Sequence, residues 1–264
     1  MNSHPPAADR SCSSQSFATI TNMSSDPAPK KSLGQHWLND LTALEAMCAD
    51  VHAGDTVLEI GPGLGTLTKL LVARAEQVIA VELDDTLVAD LPKNVPAHNL
   101  QIVHQDILQF DFSALPPDYK IVANIPYYLT SHLIRVMSET PNPASTASLL
   151  VQKEVAERLA AAPGSMSLLS VLAQFYWEVG LAEVVPAELF DPPPKVDSQI
   201  VVFIRRPKPL FPDAKSADFF RLVRSGFGQR RKTLLNSLSG GLHLDRAAVQ
   251  TLCEAAGIDP GART

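Results

Sequence analysis

The stretch Val57-Leu58-Glu59-Ile60-Gly61-Pro62-Gly63-Leu64-Gly65 restricts the fold more than any other part of this chain. A run of strand character ends in three alternating glycines, and a helical pattern follows from about Leu64 to Ala73. A chain that passes from strand to helix within so few residues needs glycine's conformational range, and it leaves the first helical amides facing the end of the strand. Such a unit belongs to a parallel sheet with crossover helices. Further apolar runs at Val78 to Glu82, Leu100 to His104, Lys120 to Ala123 and Ser148 to Gln152 alternate with helical stretches, which predicts a doubly wound α/β sheet. Tyr176 to Val185 and Gln199 to Arg205 are separated by Pro192-Pro193-Pro194 with no helix between them. They predict an antiparallel edge hairpin with a long connection.

Composition divides the chain into three. Residues 1–29 are rich in Ser, Ala, Pro and Thr without hydrophobic periodicity, and are expected to be a disordered extension, with Met23 an alternative start. This extension lacks the apolar core of a secretory signal and holds one arginine, Arg10, few for an organelle transit peptide. Residues 30–207 carry the α/β pattern. Residues 208–264 are helical in pattern, with Phe219, Phe220, Leu222, Val223 and Phe227 near the helical period, then Leu234, Leu235 and Leu238, then Ala247 to Ala256. No run of 18 apolar residues occurs, so no membrane partner is expected. Cys12, Cys48 and Cys253 are odd in number and too far apart for a zinc cluster, so a reducing compartment is expected and a metal is not.

The net charge of −6 conceals an asymmetry. Between Arg205 and Lys232 nine basic residues face two acidic ones, +7 locally, which leaves −13 for the remainder. A basic segment on an acidic protein predicts a polyanion-binding surface; a solvated helix face is the bland alternative.

The glycine cluster reads G-x-G-x-G with an acidic residue two places before it, unlike the G-x-G-x-x-G of pyrophosphate-bearing dinucleotides. This is the pattern of an S-adenosylmethionine loop, whose ligand presents a cationic amino acid end and an adenosine. Twenty-one residues beyond Gly61, at the end of the next strand, stands Glu82, placed to accept from both ribose hydroxyls. Asp106 follows the third strand and could accept from the adenine amine. Each acid alone could equally be a helix N-cap or an exposed turn residue. Acids at successive carboxyl ends of strands favour a ligand, because that edge is where such sheets bind.

After the fourth strand comes Asn124-Ile125-Pro126-Tyr127-Tyr128, an N/D-x-P-Y/F signature of methylation at exocyclic amines of nucleobases. The adenine amine is a poor nucleophile because its lone pair is delocalised into the ring. If the Asn124 side-chain oxygen and the Ile125 carbonyl accept its protons, the nitrogen pyramidalises and aims its lone pair at the methyl group. Tyr127 would stack on the base, with Pro126 shaping the turn. This is catalysis by positioning and electrostatics. A plain Asn-x-Pro turn at a strand end is the alternative, and an unpaired or flipped base is the expected substrate.

In these motifs the chain resembles the ribosomal RNA adenine dimethyltransferases, specifically the small-subunit branch, from about Lys31 to Gly261. The marks are Ser32 to Leu38, Glu59 to Gly65, Asn124 to Tyr128, Gln152 to Leu159, Phe190 to Ser198 and Phe227 to Leu234. The resemblance implies a Rossmann-like S-adenosylmethionine-dependent methyltransferase sheet with a small C-terminal helical domain. It implies cofactor contacts at His36, Leu38, Gly61, Gly63, Glu82, Asp106 and Asn124. The implied substrate is two adjacent adenosines in a hairpin loop near the 3′ end of small-subunit rRNA. Each would be methylated twice by a cytoplasmic monomer acting on a pre-mature 30S-type particle. Arg230, Arg231 and Lys232 would contact RNA phosphates, and Phe227 would pack on the other face of the target base from Tyr127, unless Phe227 is only a core residue of the helical domain.

The chain departs from that pattern in three places. His36 and Trp37 stand where the family usually has Asn and Phe, Met166-Ser167 stand where it has Tyr-Gly, and relatives usually continue through a final helix beyond Gly261–Thr264, so the helical domain is expected to be truncated. Two rival readings share most motifs: the branch that dimethylates one adenosine of large-subunit rRNA, and a non-catalytic assembly factor with the same fold.

Overall fold

Every strand end expected to carry chemistry lies along one edge of a single sheet. The structure, a computed structural model, describes residues 29–30, 33–229 and 231–263; the expected extension up to residue 28, Cys12 and Arg230 lie outside the described residues. The central strands are β2 (Thr56–Ile60), β3 (Gln77–Glu82), β4 (Leu100–His104), β5 (Lys120–Asn124), β6 (Thr146–Gln152), β7 (Trp177–Val185) and β9 (Ser198–Arg205). Their order is β4-β3-β2-β5-β6-β9-β7. The first five are parallel, and β9 runs antiparallel to both β6 and β7. The expected edge hairpin is therefore present, with β9 threaded between β6 and the outermost strand. A separate two-stranded ribbon joins β1 (Trp37–Leu38) to β8 (Phe190–Asp191).

The helices α1 (Leu41–Met47), α2 (Thr66–Arg74), α3 (Asp85–Asn94), α4 (Thr130–Glu139), α5 (Lys153–Leu159) and α6 (Leu168–Tyr176) cover the sheet. Successive strand residues point to opposite faces, and the core divides accordingly. Leu58, Ile60, Ile121, Ala123, Leu149 and Phe203 join one cluster with α4 and α6, whereas Val57, Val122, Leu150 and Ile200 join another with α1 and α2. Both faces of β2, β3, β5 and β6 are buried, which explains why these strands read as nearly continuous apolar runs rather than alternating ones.

The C-terminal helices are α7 (Ser216–Phe227), α8 (Leu234–Leu242) and α9 (Arg246–Ala255). Leu238, Val249 and Cys253 form a small core of their own. α7 is different: Phe219 stacks on Phe175 of α6 with ring centroids 4.6 Å apart, and Phe220 meets the same ring edge-on at 5.0 Å. Phe220 thereby belongs to the main core. A boundary at residue 208 does not separate two independent cores, because aromatic pairs worth about 0.5–1.5 kcal/mol each beyond area burial cross it.

The basic segment also needs correction. The Arg205 guanidinium sits over Tyr176 at 5.0 Å and Trp177 at 5.1 Å, and Arg206 pairs with Glu178 at 3.1 Å while donating to the Gln174 carbonyl. These two cations serve the fold, since β9 ends where the aromatic cluster offers ring faces. Lys208, Lys215, Arg221, Arg224, Arg231 and Lys232 remain exposed. Among the described residues no helix is long and apolar enough to cross a membrane, and no group of three metal-ligating side chains occurs.

Candidate active site

The strand order reverses between β2 and β5, since β2 leads to β3 and β4 on one side while β5 leads to β6 on the other. At such a switch point the connections diverge and leave a crevice outside the carboxyl ends of the strands. A cleft lies there, lined by residues following β2, β3, β4 and β5 and by the segment from Leu33 to Leu38.

The turn after β2 forms its floor. Gly61 and Gly63 both have positive φ, 67° and 57°. A Cβ built on Gly61 would meet nothing within 4 Å among the described residues, whereas one on Gly63 would come within 2.7 Å of the Trp37 indole. Gly61 thus leaves room for a ligand to approach the backbone, and Gly63 leaves room for the ring that walls the cleft.

Glu82 ends β3 and is buried. Its Oε1 accepts from the amides of Leu83 at 2.8 Å and Asp84 at 2.9 Å, and its Oε2 from the Gly63 amide at 3.3 Å. Burial raises its pKa despite these three donors. The carboxylate therefore ties the glycine turn to the end of β3. Asp106 caps the short 3-10 turn Ile107–Gln109, its Oδ1 accepting from Leu108 N at 2.9 Å. The capping role weighed against a ligand role is real, and Asp106 also lines the cleft.

Asn124 ends β5, and its Nδ2 donates to the His36 carbonyl at 3.4 Å. That contact turns the amide so that its oxygen remains as the acceptor. The following residues enter the 3-10 turn Tyr127–Leu129, closed by Leu129 N donating to the Pro126 carbonyl at 2.9 Å. The Tyr127 hydroxyl lies 2.8 Å from Ser198 Oγ, and burial raises its pKa. His36 faces it with ring planes 21° apart. Because a carbonyl only accepts, His36 Nδ1 carries the proton in its 2.7 Å bond to Pro192 O.

The segment from Leu33 to Leu38 is held in place by residues outside the expected set. Asp84 caps α3 through Thr86 N and also accepts from Lys30 Nζ at 2.7 Å and Gln35 Nε2 at 3.2 Å. Burial disfavours its charge, but these donors outweigh that and hold its carboxyl below the usual range. Gln35 stood within the Ser32 to Leu38 motif and Asp84 two residues beyond Glu82; their meeting, 49 residues apart, had no local signal. Close to the glycine turn, the Glu59 carboxylate is buried, and among the described residues neither of its oxygens has a hydrogen-bond partner. Burial pushes its pKa up to about 8, opposed by the nearby Thr68 hydroxyl and reinforced by the Glu82 charge.

This lining fits S-adenosylmethionine. Open space above Gly61, the carboxylate at the end of β3, and the apolar Leu83, Ile107 and Leu108 beside Asp106 suit an amino acid end, a ribose diol and an adenine. Comparison with known proteins agrees. The sequence model of the ribosomal RNA adenine dimethylase family matches residues 28–262. The chain belongs to that family. Ribosomal RNA small subunit methyltransferase A of Dehalococcoides mccartyi is 44% identical over 240 residues, covering 89% of this chain and 82% of the relative. The enzyme of the same description from Alkaliphilus metalliredigens is 38% identical, covering 88% and 85%. Among solved structures, a dimethyladenosine transferase from Plasmodium falciparum superposes with a TM-score of 0.68 at 28% identity, covering 84% of this chain and 82% of that one. The 23S rRNA methyltransferase ErmE superposes with the same TM-score at 31% identity, covering 86% and 92%. This member of the adenine dimethylase family is accordingly an S-adenosylmethionine-dependent methyltransferase of Rossmann-like α/β fold.

The cleft of this dimethylase gathers His36, Leu38, Gly61, Gly63, Glu82, Asp106, Asn124, Ile125, Pro126 and Tyr127 in one lining. It does not gather Phe227, Arg231 or Lys232. Phe227 ends α7 half-buried, because that helix commits its Phe219 and Phe220 face to α6.

Proposed function

We propose that this dimethylase methylates the exocyclic amines of two adjacent adenosines in a hairpin loop near the 3′ end of small-subunit rRNA, in the cytoplasm and on a pre-mature 30S-type particle. The observation that carries the reading is the orientation of Asn124, whose Nδ2 is engaged by the His36 carbonyl so that Oδ1 is left to accept. Asn124 Oδ1 and the Ile125 carbonyl take the two amine protons, Pro126 shapes the turn, and Tyr127 stacks on the base. Bound S-adenosylmethionine supplies an activated methyl group on sulfur. Glu82 holds the ribose, Asp106 the adenine amine, and His36, Leu38, Gly61 and Gly63 the amino acid end and its approach. The chain's contribution is alignment, with the amine held in line and its lone pair localised.

Arg231 and Lys232, exposed beyond α7, contact RNA phosphates together with Arg230, and the protein acts as a monomer docking on a large particle. The small-subunit assignment is supported by the relatives described as small subunit methyltransferase A, 38–44% identical over most of the chain. The test is transfer of labelled methyl groups to undermethylated small subunits, with undermethylated large-subunit RNA in parallel, followed by nucleoside analysis. Dimethyladenosine from the small-subunit reaction alone is the expected result. Label in the large-subunit RNA alone would move the chain to the other branch, and particle binding without transfer would make it an assembly factor.

A further inference from the structure

The segment from Phe190 to Ser198 is among the most distinctive in the sequence, and the chemistry above uses none of its side chains. Its two ends each hold one ring of the cleft. Near one end the Pro192 carbonyl accepts from His36 Nδ1 at 2.7 Å, beside the β1–β8 ribbon where Phe190 pairs with Leu38. At the other end the hydroxyls of Ser198 and Tyr127 lie 2.8 Å apart. The two rings so held are nearly parallel, with 21° between planes and 6.1 Å between centroids.

Ser198 is a rigid anchor. It has no exposed surface and opens β9, paired with Gln152 of β6 on one side and Val185 of β7 on the other. The preceding Asp197 is fixed too, its carbonyl accepting from Lys153 N and its carboxylate from Ala187 N, both at 3.0 Å. A tyrosine ring turns about two side-chain torsions, the outer one broad. A bond at the phenol tip restrains both, because the tip is the atom farthest from the backbone.

We propose that Ser198 is a positioning residue for methyl transfer: its hydroxyl, bonded to that of Tyr127, fixes the plane of the ring against which the target adenine stacks. The inference rests on the reading of Tyr127 as the stacking platform. A base follows the plane of the ring beneath it, so a tilt of that ring carries the amine out of line with the methyl group, and alignment is what this site supplies.

Ser198→Ala and Tyr127→Phe remove the same bond from its two ends, and Tyr127→Phe keeps the ring. Both singles and the double variant are assayed on the small-subunit substrate that the wild-type chain methylates, and binding is followed with RNA carrying 2-aminopurine at the target position. Each single variant is expected to lower kcat by about three- to ten-fold, the worth of one neutral hydrogen bond. The double variant should lose no more than either single one. Cofactor affinity stays unchanged, and quenching of 2-aminopurine on binding is reduced. Wild-type kcat in either single variant, or a double loss equal to the product of the single losses, overturns the proposal. Absence of transfer by the wild-type chain on every RNA would instead overturn the functional reading itself, and this inference with it.

Discussion

Trp37 occupies the space where a side chain on Gly63 would stand: a built Cβ lies 2.7 Å from the indole Cζ3 and 3.2 Å from Cε3. The glycine turn and the N-terminal wall of the cleft therefore fit together only while residue 63 has no side chain. Gly63→Ala should cost about 1–2 kcal/mol for its left-handed backbone and push the indole outward as well. Cofactor affinity should fall at least about tenfold by calorimetry, and a second change, Trp37→Leu, should restore part of it. Gly54, also at positive φ but with nothing among the described residues within 4 Å of a built Cβ, is the control. Gly54→Ala should lower the thermal midpoint and leave cofactor affinity alone.

Asn124→Ala is expected to reduce methyl transfer on the order of a hundredfold or more, the scale of losing one preorganised partner of the reacting group. Cofactor binding should remain measurable, because Glu82, Asp106 and the glycine turn are untouched. Single-turnover rates and equilibrium binding, measured on the same preparation, separate the two; retention of most of the activity would rule out the amine-orienting role.

Glu59 makes stability depend on pH in a definite sense. Its carboxyl is pushed from an ordinary value of 4.5 up to about 8, so the folded chain holds a proton that the unfolded chain releases. The stabilisation is full below about pH 4.5, declines as pH rises through the interval to about 8, and changes no further above it. Glu59→Gln should flatten that slope and raise the unfolding midpoint at pH 8, by an amount on the order of a few kcal/mol in free energy. Thermal unfolding of cofactor-free protein across this range is the measurement, and an unchanged slope would contradict the account.

The exposed and the engaged cations should behave differently toward RNA. Arg231→Ala should weaken binding and reduce the slope of log affinity against log salt by roughly 0.7 to 0.9, as expected for one phosphate contact. Arg206→Ala should leave that slope unchanged, because its guanidinium already pairs with Glu178 and the Gln174 carbonyl. Equal slopes in both variants would remove the RNA role from Arg231.

Asp84→Ala should release Lys30 and Gln35 together and loosen the wall that carries His36 and Trp37. Because its folded pKa is depressed, the stability Asp84 contributes is present above the ordinary carboxylate value near 3.8 and is lost as pH falls below it. Weaker cofactor binding with little change in kcat at saturating cofactor is the expected kinetic outcome. A wild-type cofactor Kd would show that the wall stands without this anchor.

Much of the fold and most of the cleft were legible in the sequence. The runs of β2, β3, β5 and β6 were recognisable because burial on both faces makes them largely apolar, and helices could be placed between them. The ends of the elements shifted by a residue or two: the helix expected from Leu64 begins at Thr66, and Tyr176 closes α6 rather than opening β7. Phe227 could not be placed, because its helical spacing serves a core and a binding face equally well. Only the packing of Phe219 and Phe220 on Phe175 shows which way α7 faces.

The sequence by itself determined the class of sheet, the cofactor and the row of groups at the strand ends, because each depends on local signals that topology then lines up. A glycine turn fixes where a strand stops, and parallel strands with crossover helices bring successive stops to one edge. The tertiary structure alone decided which groups meet across long separations: His36 with Pro192, 156 residues away, Tyr127 with Ser198, 71 away, and Lys30 with Asp84, 54 away. It also decided that Arg205 and Arg206 belong to the fold. Such pairings follow from strand register and helix facing, where side chains a few ångströms apart bond and those slightly farther apart do not, and one-dimensional spacing carries no record of that distance.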